Sequence, residues 1–170
     1  MVRNIDNATG NIARTTNGWR EDEKYLVKFV SDTSGSGNDY AVFDSANPRT
    51  GRLVLKFGNS ATTGRCHIDS CDGVGATISA QYSKHIIKVK PSTTYKLTFY
   101  AKIVNRTTGN IFSRNFYNGL TRVSNSNYIN IGGTIDWTKY EQSLTTPSNC
   151  DGLVIRFQNA TGATEETYLS

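Results

Sequence analysis

Apolar side chains in this chain recur at every second position, in short runs, almost nowhere at helical spacing. Tyr25, Val27 and Phe29 share one parity, as do Leu53, Leu55 and Phe57. Ile87 and Val89 follow, then Tyr95, Leu97, Phe99, Ala101 and Ile103. Later come Tyr140, Gln142 and Leu144, then Leu153, Ile155 and Phe157. Period two puts one face of each strand in a core and the other in water. Between the runs lie Ser34-Gly35-Ser36-Gly37-Asn38, Asn47-Pro48, Asp72-Gly73, Pro91-Ser92, Thr108-Gly109-Asn110, Asn118-Gly119, Gly132-Gly133, Asp151-Gly152 and Thr161-Gly162, all turn chemistry. Eight or nine short strands separated this way predict an all-β fold, a β-sandwich of the jelly-roll type.

Composition agrees with that fold and removes several functions. The 170 residues suffice for one domain with a full core. Thr (21), Asn (16), Ser (15) and Gly (15) supply strand and turn material, whereas coiled-coil heptads are absent. No apolar run approaches the roughly 18 residues of a membrane-spanning helix, so no membrane partner is expected. Net charge is +5, but the basic residues are scattered, which argues against specific nucleic-acid binding and leaves room for acidic glycans. Met1–Gly18 is polar and lacks the apolar centre of a secretory leader, which leaves two expectations, a cytoplasmic protein or, as the reading adopted, an extracellular or cell-surface domain that is part of a larger chain.

Enzyme templates fail in turn. There is no Gly-x-Ser-x-Gly elbow, Walker loop or His-Glu-x-x-His, and His67 and His85 are the only histidines. Asp136 and Glu141, five apart, take opposite faces of a regular strand, which is wrong for paired carboxylates across a cleft. Three cysteines leave at least one thiol unpaired within the chain. Cys66 and Cys71 read as two unlinked thiols, a small disulfide loop or a metal pair, in that order, and Cys150 as a buried inert thiol. What remains is aromatic and amide chemistry, with 9 Tyr and 2 Trp set among polar residues.

One ordered set of segments is more specific. Val89-Lys-Pro91-Ser-Thr-Thr-Tyr95-Lys-Leu97-Thr-Phe99-Tyr100-Ala101-Lys102 is followed by Gly133-Thr-Ile-Asp136-Trp137-Thr-Lys-Tyr140, then Gly152-Leu-Val-Ile-Arg-Phe157, then Thr167-Tyr168-Leu169. This order resembles the carbohydrate-binding modules of families four, nine, sixteen and twenty-two. Gly18-Trp19 and Gly51-Arg-Leu-Val-Leu55 resemble their early elements. The resemblance spans residues 17–170, with 1–16 an N-terminal extension or first strand.

The resemblance implies a jelly roll that binds a polysaccharide or oligosaccharide, such as β-glucan, xylan or mannan, in a concave sheet without altering it. A covalently attached catalytic domain in a glycan-degrading enzyme is the implied partner. The alternatives are an attachment or structural domain of a phage tail or cell surface, and a polysaccharide lyase or hydrolase on the same scaffold. No cofactor is expected. The family's structural calcium takes ligands from an N-terminal element and from beyond a final strand, neither recognisable here, so no metal ligand is assigned.

Parity then selects site residues. With Tyr95 to Ile103 inward, Tyr100 and Lys102 point outward, where the resemblance puts the glycan. Arg156 shares the outer parity of its strand, followed by Gln158. Arg114 and Tyr117 lie on the strand after Gly109, whose faces stay unassigned. Tyr82 is expected to line the same sheet, Trp19 to be either a core plug or a ligand platform, and Trp137 to pack in the core.

Overall fold

The computed structural model describes residues 28–31, 39–44, 46–47, 49, 54–59, 66–71, 75–80, 83, 86–159 and 164–170. The expectations for Trp19, Tyr82 and residues 1–16 fall outside them. Nine strands are described: β1 (Lys28–Ser31), β2 (Asp39–Asp44), β3 (Val54–Asn59), β4 (Cys66–Asp69), β5 (Ile87–Lys88), β6 (Thr94–Asn118), β7 (Thr121–Thr145), β8 (Gly152–Gln158) and β9 (Glu165–Leu169). All named pairings are antiparallel.

The organising element is the hairpin of β6 and β7, each 25 residues long. Its turn is Gly119-Leu120, closed by the Asn118–Thr121 pair, and Gly119 has a φ of 57°. Positive φ at the first central residue matches the right-handed twist of the flanking strands and suits glycine. The first part of β6 pairs with β9 through Ala101–Val104, and its last part pairs with β8 through Phe112–Tyr117. One layer therefore runs β2-β3-β9-β6-β7, and the other runs β1-β4-β8-β6-β7 with β5 also on β8. The hairpin crosses from one to the other. Register shifts between Ala101 and Gly109 absorb the bend, with positive φ at Asn105, Ile129 and Gly133. The turn expected at Thr108-Gly109-Asn110 is thus an irregular part of one long strand.

Side chains of both layers meet in one cluster: Leu55, Phe57, Phe99, Ala101, Ile103, Leu144 and Leu169 from the first, Ile68, Ile111, Phe112, Phe116, Ile131 and Leu153 from the second. Phe99 lies edge-on to Phe157, with centroids 4.9 Å apart, and stacks with Tyr140 at 5.3 Å. This is the sandwich core that the alternation calls for. A second cluster of Cys71, Ile78, Ile86, Tyr117 and Val154 covers part of the second layer's outer face. Cys71 and Cys150 are buried. Burial pushes the Cys150 thiol upward.

Strands β3 and β9 approach closely at Gly58. A Cβ there would stand 2.0 Å from the carbonyl oxygen of Glu165, a backbone atom. Gly58→Ala must push the two strands apart, at an expected cost of about 1–3 kcal/mol, the usual range for overpacking. Urea denaturation checks it, and a midpoint equal to the parent's would contradict the close approach.

Candidate functional site

The outer face of the first layer gathers aromatic and charged side chains on regular strands. Inward Phe99, Ala101 and Ile103 leave Tyr100 and Lys102 outward, as their parity predicts. Across the sheet Lys102 pairs with Tyr168, and Tyr168 pairs with Lys56. The Tyr168 ring, 3% exposed, is thereby flanked by two ammonium groups, Lys56 Nζ at 5.3 Å and Lys102 Nζ at 5.7 Å from its centroid. Trp137 of β7 meets Tyr168 edge-on, with centroids 6.4 Å apart. Glu166 lies two residues before Tyr168 on the same face. It accepts the Tyr168 hydroxyl proton at 2.5 Å and pairs with Lys56 at 2.6 Å.

The segment after β2 folds back onto this face. Asp44 accepts the Ala46 N–H at 2.7 Å and the Asn47 Nδ2–H at 3.0 Å, which turns the chain. Asn47 Oδ1 then accepts from Lys102 Nζ at 3.1 Å. The Arg49 guanidinium stacks 3.8 Å over the centre of the Tyr100 ring and donates from Nε to Ser170 Oγ. One face of Tyr100 is accordingly occupied. Trp137 is half-buried and has no such cation over it among the described residues.

Further along, Glu141 accepts from Lys139 at 2.5 Å and Lys96 at 2.7 Å. These hydrogen bonds and charges hold its carboxyl down at about 2. A depressed carboxyl contributes above the ordinary carboxylate range, and that contribution is lost as pH falls through about 2. An NMR titration of Glu141 should therefore find its midpoint near 2. In Lys139→Met, which removes the partner with the largest effect, the midpoint should rise. An unchanged midpoint would remove the pairing.

The six expected residues that are described do not share one face. Tyr100 and Lys102 lie together. Arg156 and Gln158 are outward, but on the second layer, where Arg156 makes a two-pronged pair with Asp69 at 2.7 and 2.8 Å. Tyr117 is fully buried in the second cluster and donates its hydroxyl to the Gly75 carbonyl, and burial raises its pKa. Arg114 has the inward parity of Phe112 and Phe116, with its guanidinium 5.0 Å from the Phe116 ring centroid.

Trp137, expected in the core, is on the outer face instead. It lies three residues from inward Tyr140, and positions three apart on a regular strand face opposite ways. Tyr168 adjoins inward Leu169 and so also faces outward, and both signals were present in the alternation. No group of three or more His, Cys, Asp or Glu that could hold a metal ion occurs among the described residues.

A family profile described as a carbohydrate binding domain matches residues 48–164, well over half of the chain. The chain belongs to this carbohydrate-binding family. The match takes in Arg49, Lys56, Tyr100, Lys102 and Trp137. The domain also resembles solved structures. The enzymatically active domain of bacteriophage CBA120 tailspike protein 4 has 15% identity and a TM-score of 0.62, over 93% of this chain and 20% of that one. The domain thus spans a fifth of the tailspike chain and shares a fold with it. A family 16 carbohydrate binding module has 16% identity and a TM-score of 0.48, over 76% of this chain and 80% of that one. A family 4 module has 12% and 0.46, over 91% and 90%. No curated protein sequence matches the domain.

Proposed function

We propose that the domain holds a polysaccharide chain on the outer face of its first layer and leaves it chemically unchanged. The observation that carries this reading is Trp137, half-buried and outward on a paired strand, among amine and carboxylate groups of the same face. A pyranose offers a ring an apolar face of C–H groups and a rim of hydroxyls. Indole covers the first, and Lys and Glu side chains bond the second. Strands hold these groups in place before the sugar arrives, so little ordering entropy opposes binding. The domain would serve in an extracellular protein, keeping an attached glycan-degrading unit beside its substrate. A second reading, attachment within a tailspike-like particle, is favoured by the 0.62 likeness that covers 93% of this chain and only 20% of that one.

Affinity electrophoresis against neutral and acidic soluble polysaccharides, with an assay for new chain ends, tests the first reading. Retardation by at least one polymer, without new ends, is expected. Uniform mobility, or released product, overturns it. Light scattering separates the second reading, which requires an oligomer.

A further inference from the structure

We propose that the polysaccharide taken by this face is acidic, and that Arg49 and Lys102 receive the carboxylates of its uronic acid units; the proposal rests on the face being the glycan site. The face carries the cations Arg49, Lys56, Lys96, Lys102 and Lys139. Two of its carboxylates are already engaged. Glu166 is paired with Lys56, and Glu141 with both Lys96 and Lys139. At the edge, Asp44 is occupied by the turn N–H groups of Ala46 and Asn47. Arg49 and Lys102 remain. Among the described residues neither has a carboxylate within ion-pair distance. Their hydrogen bonds there go to neutral oxygens, Ser170 Oγ and Asn47 Oδ1.

Both cations are held in place. Arg49 lies flat on Tyr100, and Lys102 is bonded to Asn47 and leans toward Tyr168. Nε is the guanidinium atom that bonds Ser170, which leaves the two terminal nitrogens of Arg49 as a fork of the shape that grips a carboxylate with two parallel bonds. Lys102 has further N–H groups beyond the one given to Asn47. Tyr100, under Arg49, and Lys102 are outward neighbours two residues apart, about 6.6 Å along a strand. Two positive groups thus border the rings, one sheet position apart. A neutral glycan would leave both charges to solvent, whereas a uronate pairs them as the half-buried Trp137 indole covers its apolar face.

The test compares polygalacturonate, alginate and hyaluronan, each with its own carboxyl-reduced neutral form, by isothermal titration at low salt. At least one acidic polymer should bind about tenfold more tightly than its reduced form, with the difference shrinking as salt is added. Arg49→Gln and Lys102→Met should each weaken the acidic form about five- to tenfold. Lys88→Met removes the same charge from exposed β5 in the other layer and should change nothing. Melting curves confirm that the variants fold. Equal binding of acidic and reduced forms, with Trp137→Ala still damaging, overturns the charge proposal and keeps the face. So does an equal loss in Lys88→Met, which traces the preference to net charge. No binding by any polymer, neutral or acidic, overturns both readings.

Discussion

Trp137→Ala should weaken polysaccharide binding about ten- to a hundredfold, while lowering the melting midpoint by only a few degrees. Aromatic side chains at the centre of a binding surface typically lose 2 kcal/mol or more on truncation, and about 1.4 kcal/mol is a factor of ten. The small effect on stability follows from position. Trp137 is absent from the clusters that join the layers, and its described ring contact is the edge-on one to Tyr168. Inward Phe99, on the paired strand, touches Phe112, Tyr140 and Phe157 and makes the useful contrast. Phe99→Ala should cost about 3–5 kcal/mol of stability. Titration calorimetry on the retained polymer, alongside thermal melts, reads both quantities. Affinity within twofold of the parent in a folded Trp137→Ala protein would remove the indole from the site. Tyr100→Ala is expected to act differently, because it also releases the Arg49 guanidinium from its stacked position.

Arg106→Met should destabilise the fold by about 3–5 kcal/mol, the usual cost of stranding one charge of a buried pair. The Arg106 and Glu165 side chains are both fully buried, with Nη1 donating to Oε1 at 2.5 Å. Arg106 Nη2 also donates to the Asn110 carbonyl at 2.8 Å. Arg106 lies where register shifts carry β6 from one layer to the other, and Glu165 begins β9, whose carbonyl presses against Gly58. The pair therefore ties the bend to the start of the adjoining strand. Replacing both partners, in Arg106→Met with Glu165→Leu, should recover much of the loss, because no unpaired charge is then left inside. Urea denaturation of the single and double variants checks this. A single-variant loss below about 1 kcal/mol would mean that water or a neighbouring group takes over the carboxylate.

The alternation of Tyr95 to Ile103 placed Tyr100 and Lys102 on the outer side correctly, since consecutive side chains of a strand must point opposite ways. Leu153 and Phe157 likewise identified Arg156 as outward. Nothing in that pattern says which layer a strand joins. Arg156 and Gln158 have the right parity and the wrong sheet, because β8 pairs with the far end of β6. Arg114 could not be assigned at all. Its strand carries apolar residues on both faces, the inward core on one and the second cluster around Tyr117 on the other. The Thr108-Gly109-Asn110 segment reads as a turn by composition, yet its residues continue a ladder that bends around the core.

Trp137 and Tyr168 show what local pattern holds without display. Counting from Tyr140 and Leu169 sends both outward, but only the pairing of β7, β6, β9 and β3 makes them neighbours. Where the alternation is regular, as over Tyr95 to Ile103, the amino-acid sequence by itself determined the strand and the side each residue takes, because these follow from the sterics of adjacent peptide units. Tertiary structure alone decided which outward residues meet, because strand pairing joins segments far apart in the chain, as Lys56, Lys102 and Tyr168 are. No period within one strand encodes its neighbour.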